Sequence, residues 1–367
     1  MRILVVNAGS SSLKLSLLGD DDVLEHSADV EVGQDGIDTV ALGELIGRWP
    51  APDVVGHRIV HGGTLFTDAV LVNADVRTQL EELTDLAPLH QPKSLAALDA
   101  VIEKLPDAPA VACFDTAFHS AMPAAAATYA VPQEWRERYR IRRYGFHGLS
   151  HAYASGRAAQ MVNRPLAQLR IVTCHLGAGA SLCAVLAGRS VDTTMGFTPL
   201  DGLVMATRSG SVDPGVVLWL EEHEHFDPHS IATALEHRSG LLALAGTADM
   251  RDVEAALDRG EPDAQLAMNV YIHRLVAGIA AMAAATGGVD ILVFTGGVGE
   301  HSPVVRRLAA QRLAYAGVQI DERNDNNHGD TAISPQSAPV QTLVITARED
   351  RQIATETRQL ISAPPSR

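Results

Sequence analysis

The 367-residue chain has few cysteines, few aromatic residues and few lysines, and the cysteine shortage is the most restrictive. Its three cysteines, Cys113, Cys174 and Cys183, show neither a disulfide framework nor zinc-site spacing. An odd number of unframed cysteines favours a reducing compartment. Cys113 and Cys174 lie in apolar runs, so we expect buried structural thiols.

The chain also lacks a signal-peptide pattern, a membrane-length apolar run and an excess of positive charge. The opening stretch MRILVVNAGS turns polar at Asn7. No uninterrupted apolar run approaches the roughly 18 residues of a membrane helix. The formal net charge of −15 argues against a nucleic-acid partner, although local arginines still permit a small anionic substrate. We therefore expect a cytoplasmic enzyme or binding protein with no membrane partner.

The first informative motif is the stretch NAGSSSLKLS, from Asn7 to Ser16, which has the composition of a phosphate-binding loop. A Walker loop would place glycine before the lysine and a helix after it. Here Leu13 precedes Lys14, and leucines alternate through LKLSLL. Alternation of this kind is typical of a strand. The pattern predicts a β-hairpin in which the serines and Gly9 shape the turn.

A second hairpin with a similar pattern follows in RIVTCHLGAGASLCAVLAGRSVD, which predicts a duplicated domain. A chain of this length is expected to form two domains. Three glycine-rich turns follow buried strands, at Asn7–Ser12, Gly177–Ser181 and Gly296–Glu300. Such turns bring backbone N–H groups close to phosphates. One alone is more often a plain hairpin, whereas three favour a nucleotide.

Charged residues in loops supply the catalytic candidates, each with a structural alternative. Arg58 and Arg208 lie beside small residues, where a guanidinium can clamp an anion or simply form a salt bridge. Asp115 follows a strand, a frequent place for a functional carboxylate. Histidines such as His147 are usually structural, but beside an arginine they can stabilise developing charge. Asp249 flanks a turn, and Glu349 begins the last predicted helix, where capping is the alternative.

Taken together and in order, the motifs of this chain resemble acetate kinase and its acyl-kinase relatives from the first residues to the last helix. The strings that carry the resemblance are VVNAGSSSLKLSLL, GHRIVHGG, APLHQP, FDTAFHSAMP, YGFHGLSH, HLGAGAS, SVDTTMGFTPLDGLVMATRSGSVDPG, SGLLALAGTADMRD and VFTGGVGEHSPVVR. Each string alone is weak, but the ordered set is highly specific.

The resemblance implies an α/β fold of the duplicated two-domain acetate and sugar kinase / Hsp70 / actin-like type, with a central nucleotide cleft. The implied domains are 1–115 plus 349–367, with a returning C-terminal helix, and 116–348, which binds the nucleotide. It also implies a homodimer, Mg²⁺ or Mn²⁺ in its place, and reversible phosphoryl transfer between ATP and acetate, giving acetyl phosphate and ADP.

The resemblance also assigns roles to individual residues. Asp115, His147 and Arg208 would be catalytic, the last two as transition-state stabilisers. Arg58, His90 and Phe146 would bind the substrate, and Asn7 and Glu349 the metal. The implied nucleotide residues are Lys14, His175, Leu176, Gly177, Ala178, Gly179, Asp249, Met250, Arg251, Gly297, Val298, Gly299, Glu300 and His301. Because an acetate carboxylate is already ionised, positioning and charge stabilisation carry most of the catalysis. Asp115 is therefore expected to orient an arginine or a metal-bound water rather than accept a proton.

The chain departs from the family pattern at several positions. Ala178 and His301 each replace an asparagine, Gln91 replaces another, TAREDRQIA replaces TNEEL, and the stretch between Asp20 and Val54 is short. Two alternatives to acetate kinase stay open. One is a propionate or butyrate kinase, since a missing methylene is worth only about 1–3 kcal/mol. The other is a non-catalytic nucleotide-binding relative, which Ala178 and His301 favour and the four retained residues Arg58, Asp115, His147 and Arg208 disfavour.

Overall fold

The computed structural model describes residues 1–9, 12–31, 38–88, 90–321 and 329–363. The predicted turn at Ser10 and Ser11 lies outside these ranges. The chain divides into two compact units. Unit 1 comprises Met1–Ser120, Phe146–Tyr153 and Arg348–Arg367, and unit 2 comprises Ala121–Gly145 and Ala154–Ala347.

In its described residues, unit 1 has six strands and four complete helices. The strands are β1 (Ile3–Ala8), β2 (Ser12–Leu18), β3 (Leu24–Glu31), β4 (Val54–Ile59), β5 (Val70–Leu71) and β6 (Ala110–Phe114). The helices are α1 (Thr39–Gly47), α2 (Ala74–Glu82), α3 (Gln91–Lys104) and, at the far end of the chain, α14 (Glu349–Ser362).

The sheet of unit 1 has the strand order β3-β2-β1-β4-β6-β5. Strands β1, β4 and β6 run parallel, and β1–β2 is the antiparallel hairpin that the alternating leucines predict. Leu13, Leu15 and Leu17 are buried in one cluster with side chains of α1 and α3. The hairpin prediction is confirmed, and a Walker loop is excluded.

The other face of this sheet is covered by α14. Ile353 and Ala354 of α14 share a buried cluster with Ile3, Val5 and Cys113. A side chain at Gly56 would collide with Ile353 and Thr357, so this glycine sets how closely α14 approaches β4. The last helix of the chain is thus part of the core of the first unit.

Unit 2 contains six strands and most of the helices. The strands are β7 (Arg170–Leu176), β8 (Ala180–Leu186), β9 (Arg189–Thr193), β10 (Ile291–Thr295), β11 (Thr331–Ala332) and β12 (Gln341–Val344). Helix α6 (Gly148–Met161) begins in unit 1 and continues here. The remaining helices are α4 (Ala124–Ala127), α5 (Gln133–Tyr139), α7 (Pro214–His223), α8 (Pro228–His237), α9 (Gly240–Ala245), α10 (Met250–Asp258), α11 (Pro262–Ala285), α12 (Gly296–His301) and α13 (Pro303–Arg312).

The sheet of unit 2 repeats the plan of the first. Its order is β11-β12-β10-β7-β8-β9, with β7, β10 and β12 parallel and β7–β8 an antiparallel hairpin. Read from the other edge, the same sequence of pairings occurs in both sheets, including an antiparallel strand at the far edge. The predicted duplication is confirmed.

Helix α11 is long and apolar enough, by length and composition, to cross a membrane. Nine of its side chains are buried, among them Met268, Tyr271, Ile272 and Leu275. Its contacts are with β7, β8, β9 and neighbouring helices of unit 2. We therefore interpret α11 as a core helix.

Three features differ from the sequence expectations. The stretch DVRTQLEELTDLAPLH predicts an amphipathic helix that ends near Pro88, but α2 ends at Glu82 and a 3₁₀ turn at Thr84–Leu86 follows. The glycine stretch after β10 is a short helix, α12, rather than an open loop. Unit 1 also extends to Ser120 and includes Phe146–Tyr153, so His147 lies in unit 1 rather than in the second domain.

Candidate active site

In unit 1, the carboxyl ends of β1, β4 and β6 and the start of α14 bring together four predicted site residues. Asn7 Nδ2 donates a hydrogen bond of 2.8 Å to Glu349 Oε2, although the two residues are 342 positions apart. Arg58 Nη1 lies 3.4 Å from Asn7 Oδ1 and donates to the Ala8 carbonyl at 2.9 Å. The two predicted metal-binding residues and one of the predicted substrate-binding residues, Arg58, therefore belong to one contiguous group of side chains.

The guanidinium of Arg58 is held by Asp115. Arg58 Nη2 and Nε donate to the Asp115 carboxylate at 2.5–3.2 Å, and the two side chains are only 14% and 2% exposed. Burial disfavours the charge of Arg58, but Asp115 and Glu349 outweigh it and raise the pKa of the guanidinium. Burial also disfavours the charge of Asp115 and so raises the pKa of its carboxyl group, and Arg58 opposes that rise. Asp115 and Arg58 thus form a buried ion pair, in which the guanidinium stays charged.

The main chain of Asp115 also positions the segment that carries His147. Gly148 N donates to the Asp115 carbonyl at 2.8 Å, and a side chain at Gly148 would collide with that carbonyl. His147 itself has a positive φ of 57°, which is uncommon outside glycine. Strained backbone of this kind is concentrated at functional sites. The hydrogen bond between the residue after β6 and the first residue of α6 therefore fixes the position of the His147 backbone.

The remaining unit 1 candidates are distributed around this group. Phe146 is buried, its carbonyl lies 3.1 Å from His119 Nε2, and its ring packs edge-on against His61. Lys14 is exposed on β2 directly opposite Asn7 in the hairpin register. His90 is half-buried at the N-cap of α3.

In unit 2, the predicted nucleotide residues cluster around the second hairpin turn. The turn runs from Leu176 to Gly179, and a Cβ at Gly177 would lie 3.9 Å from Gly297 N. Gly296 has a φ of 79°, and a Cβ there would lie only 2.8 Å from the Leu176 carbonyl oxygen. Only glycine allows this approach, which joins the turn to the start of α12 with no side chain between them.

Glu300 and Ser302 hold α12 in place. Glu300 Oε1 accepts from Gly296 N at 3.0 Å and from Ala347 N at 2.9 Å, so this carboxylate faces backbone. Ser302 caps α13 through Val305 N and hydrogen-bonds Glu254 of α10. Val298 is half-buried and His301 exposed on α12, whereas the neighbouring Leu176 side chain is buried.

The Asp249–Arg251 segment begins α10. Asp249 accepts from Arg251 N at 2.9 Å and forms a bidentate ion pair with the Arg251 guanidinium. The Arg251 side chain lowers the pKa of Asp249 to about 2. Met250 between them is buried, so only its backbone can face a ligand. Asp249 is the N-cap of α10, whereas the capping alternative given for Glu349 is not observed, because Arg348 occupies the N-cap of α14 and no side chain caps that helix. The Ser302–Glu254 bond connects α10 to the start of α13.

Arg208 is a largely buried cation with no carboxylate partner among the residues that the structure describes. Its Nη1 donates to the Pro199 carbonyl at 3.2 Å and contacts Met205 Sδ at 3.8 Å. Burial lowers its pKa, with a distant contribution from Glu236 in the other direction. The loop contacts the second hairpin through Ala206 N and the Ala178 carbonyl, at 3.2 Å. An unpaired buried guanidinium beside a glycine-rich turn is suited to bind an anion.

The donor set at Asn7 and Glu349 suits Mg²⁺. An amide oxygen and a carboxylate are hard oxygen ligands, and Mg²⁺ commonly takes one or two protein carboxylates together with waters and phosphate oxygens. No cluster of three or more His, Cys, Asp or Glu with metal-binding geometry occurs in the described part of the chain. The residues present therefore fit a metal held jointly with a phosphate ligand.

Sequence reasoning missed several buried polar residues around the unit 1 group. Gln91, noted only as a departure, bonds the His61 backbone in both directions and the Leu80 carbonyl. Glu356 lies beside Cys113, and burial raises its pKa to about 6. Its spacing of seven residues from Glu349 on one helix was the available signal, since it places both carboxyl groups on one side of α14.

Comparison with known proteins identifies the family of the chain. A model of the acetokinase family matches residues 50–355. The acetate kinase of Trichormus variabilis is 41% identical over 405 residues, which cover 99% of this chain and 100% of the relative. The acetate kinase of Alkaliphilus metalliredigens is 42% identical over 396 residues, covering 98% and 100%.

Solved structures give the same result. The crystal structure of Porphyromonas gingivalis acetate kinase matches with a TM-score of 0.89 and 34% identity, covering 98% of this chain and 100% of that one. A propionate kinase from Francisella tularensis matches with a TM-score of 0.90 and 34% identity, covering 97% and 98%. The fold is the duplicated α/β fold of the acetate and sugar kinase / Hsp70 / actin-like class. The chain belongs to the acetokinase family of kinase enzymes.

Proposed function

We propose that this protein is an acetate kinase that reversibly transfers the γ-phosphoryl group of ATP to acetate, giving acetyl phosphate and ADP. The observation that carries the proposal is the Arg58–Asp115 pair at the ends of β4 and β6, beside Asn7 and Glu349. Acetate is already ionised at neutral pH and needs no general base. A fixed, permanently charged guanidinium is therefore the group that such a substrate requires.

The second requirement of the reaction is to bring two anions together. In this proposal Arg58 binds the acetate carboxylate, and Asp115 keeps the guanidinium from turning away. His90 and Phe146 contribute to the binding of the same substrate. Arg208 and His147 offset the negative charge of the phosphoryl group during its transfer, because positive groups of this kind supply most of the stabilisation of a loose phosphoryl-transfer transition state.

The nucleotide is assigned to Lys14 and to the unit 2 cluster. The glycines of the Leu176–Gly179 turn and of α12 keep side chains away from the backbone, which lets phosphate oxygens approach it closely. Asn7 and Glu349 would hold Mg²⁺, or Mn²⁺ in its place, which when bound neutralises phosphate charge. Glu300 has a structural role within this scheme, since it accepts hydrogen bonds from the backbone N–H groups of Gly296 and Ala347.

The direct test is ATP-dependent acyl phosphate formation, trapped as the hydroxamate, with formate, acetate, propionate and butyrate. We expect Mg²⁺-dependent product, loss of activity in EDTA and recovery on adding Mg²⁺ or Mn²⁺. Arg58→Ala should raise the KM for acetate strongly. Arg48→Ala is the matched control, because Arg48 is exposed on α1. Absence of hydroxamate with all four acids would overturn the proposal and leave a non-catalytic nucleotide-binding relative.

A propionate or butyrate kinase is the second candidate. The Francisella propionate kinase is as similar in sequence to this chain as the Porphyromonas acetate kinase, at 34% identity each. Relative kcat/KM values for the four acids decide between them. A higher value for propionate or butyrate than for acetate would assign the chain to the second candidate.

We further propose that the protein forms a homodimer through α7 and resides in the cytoplasm. Helix α7 has no buried residue, and Val216, Leu218 and Trp219 are 47%, 56% and 50% exposed. A helix with large apolar side chains on its surface is suited to a partner, and a second copy presents the same patch. The three buried free cysteines fit a reducing compartment.

The dimer is tested by light scattering after chromatography. Leu218→Glu combined with Trp219→Glu should yield monomers at micromolar concentration. Val40→Glu is the matched control, since Val40 is 67% exposed on α1. A double variant that stays dimeric would rule out this interface.

A further inference from the structure

A surface cavity of about 440 Å³ lies on unit 2, and none of its lining residues is assigned to the reaction by the sequence. It is lined by Asn269, Val270, His273 and Arg274 of α11 and by Arg312 of α13. None of the lining side chains is a carboxylate, in a chain whose net charge is −15. The cavity is therefore a local basic site on an acidic protein.

The two helices bring several hydrogen-bond donors to the same cavity. Asn269 and His273 are four residues apart, as are Val270 and Arg274, so all four lie on one face of α11. Arg312 is the last residue of α13, and its Nη2 lies 3.2 Å from His273 Nδ1. Because a guanidinium only donates, Nδ1 accepts and the proton of the neutral ring is on Nε2, available to a ligand.

The positive charges of the two cavity arginines are not offset by a carboxylate in the described part of the chain. Within the described ranges neither Arg274 nor Arg312 has a carboxylate partner. Other arginines of unit 2 do have one: Arg170 pairs with Asp290, and Arg259 pairs with Glu261. The C-terminal end of α13 attracts the charge of Arg312 without neutralising it. Two guanidiniums that line one cavity without a described carboxylate partner attract an anion of higher charge than a single carboxylate.

We propose that this cavity is a second anion-binding site, which takes a small ligand bearing a phosphate group. Arg274 and Arg312 supply forked donors that match phosphate oxygens, and Asn269 and His273 supply further hydrogen bonds. Val270 gives one apolar contact for the body of the ligand. The site is separate from the proposed phosphoryl-transfer residues and does not depend on them.

The test is an NMR titration of the full-length protein with inorganic phosphate at constant ionic strength. The probe is the His273 ring resonance, identified by its loss in His273→Gln. We expect a saturable shift in the unmodified protein, and much weaker binding of acetate, which carries one charge. Arg274→Gln combined with Arg312→Gln should weaken phosphate binding at least tenfold. Arg259→Gln, an exposed ion-paired arginine of the same unit, should leave it unchanged.

The outcomes separate this proposal from the proposed function. Acyl phosphate formation should persist in the double variant, because neither arginine belongs to the site described above. Arg274→Gln alone, with an intermediate loss of affinity, serves if the double variant does not fold. A linear, non-saturating shift, or equal affinity in the unmodified and double-variant proteins, would overturn the second site whatever the kinase assay shows.

Discussion

The residue with the clearest unsatisfied charge in unit 2 is Arg208. Its contacts are a carbonyl oxygen and a thioether sulfur, so folding leaves most of its charge uncompensated. We expect Arg208→Ala to lower kcat by about 10³-fold, because a guanidinium that acts on the transition state is worth this much in phosphoryl transfer. The KM for ATP should change only a few-fold.

The measurement is steady-state hydroxamate formation with varied ATP. Arg259→Ala is the matched control, since it removes an exposed arginine of the same unit that is paired with Glu261. A kcat that survives Arg208→Ala within a few-fold would remove Arg208 from the chemistry and leave it as a ground-state binding group.

A second residue-scale prediction concerns His57 on β4. The ring is 1% exposed, and neither of its nitrogens has a hydrogen-bond partner. Burial lowers its pKa from 6.5 to about 3. The unfolded chain therefore binds the proton first, and the free energy of unfolding falls as pH drops below 6.5, by up to about 1.4 kcal/mol per pH unit from this residue.

Urea unfolding between pH 7 and pH 5 checks this. His57→Leu should show a smaller loss of stability over that interval than the unmodified protein. His229→Gln, an exposed histidine of α8, should follow the unmodified curve. The same acid sensitivity in His57→Leu would show that other groups, such as His61 or His119, carry the effect.

At the scale of elements, the Arg208 loop depends on the start of α9. Gly240 has a φ of 65°, and a side chain there would collide with the carbonyl oxygens of Met205 and Arg208. The following residues hold the loop, since Leu241 N donates to the Met205 carbonyl at 2.9 Å and Leu242 N to the Ala206 carbonyl at 3.0 Å. Gly240→Ala must therefore shift the loop.

We expect Gly240→Ala to lower kcat at least tenfold while Arg208 remains in the chain. Gly260→Ala is the matched control: Gly260 also has a positive φ, of 77°, but nothing lies within 4 Å of its Cβ position. Similar kinetic losses in both variants would attribute the effect to backbone strain rather than to the placement of Arg208.

The elements that sequence reasoning predicted well are those with local signals. Alternating leucines predicted the first hairpin, and β1 and β2 form it with those leucines buried. The residues it could not place are held by partners distant in the chain. Glu300 binds the backbone at Ala347, and Gln91 binds the backbone at His61. No local pattern encodes such contacts. The glycine stretch after β10 is therefore predicted as a turn, although it forms helix α12.

At the scale of the whole molecule, the two ends of the chain meet in unit 1. Ile353 is fully buried against β1 and β6. Ile353→Ala should cost roughly 2–5 kcal/mol of stability through the cavity it leaves. Because Ile353 lies one turn after Glu349, loosening α14 should also raise the Mg²⁺ concentration needed for half-maximal activity.

Urea unfolding and a Mg²⁺ titration of activity measure the two effects. Ile361→Ala is the control on the same helix, because Ile361 is 39% exposed. An unchanged Mg²⁺ requirement in a destabilised Ile353→Ala would show that Glu349 is held by its own contacts and not by the packing of α14.

The position of α14 in the chain has a consequence for synthesis on the ribosome. Every strand of the first sheet is made before residue 115, but the helix that covers one face of it begins at Glu349. The apolar face of the sheet that α14 covers therefore lacks this helix while the residues of the second unit are translated. Asn7 therefore meets its hydrogen-bond partner Glu349 only after the residues of the second unit have been made. A chain whose synthesis stops before Glu349 has every strand that the structure describes but lacks the carboxylate that accepts from Asn7.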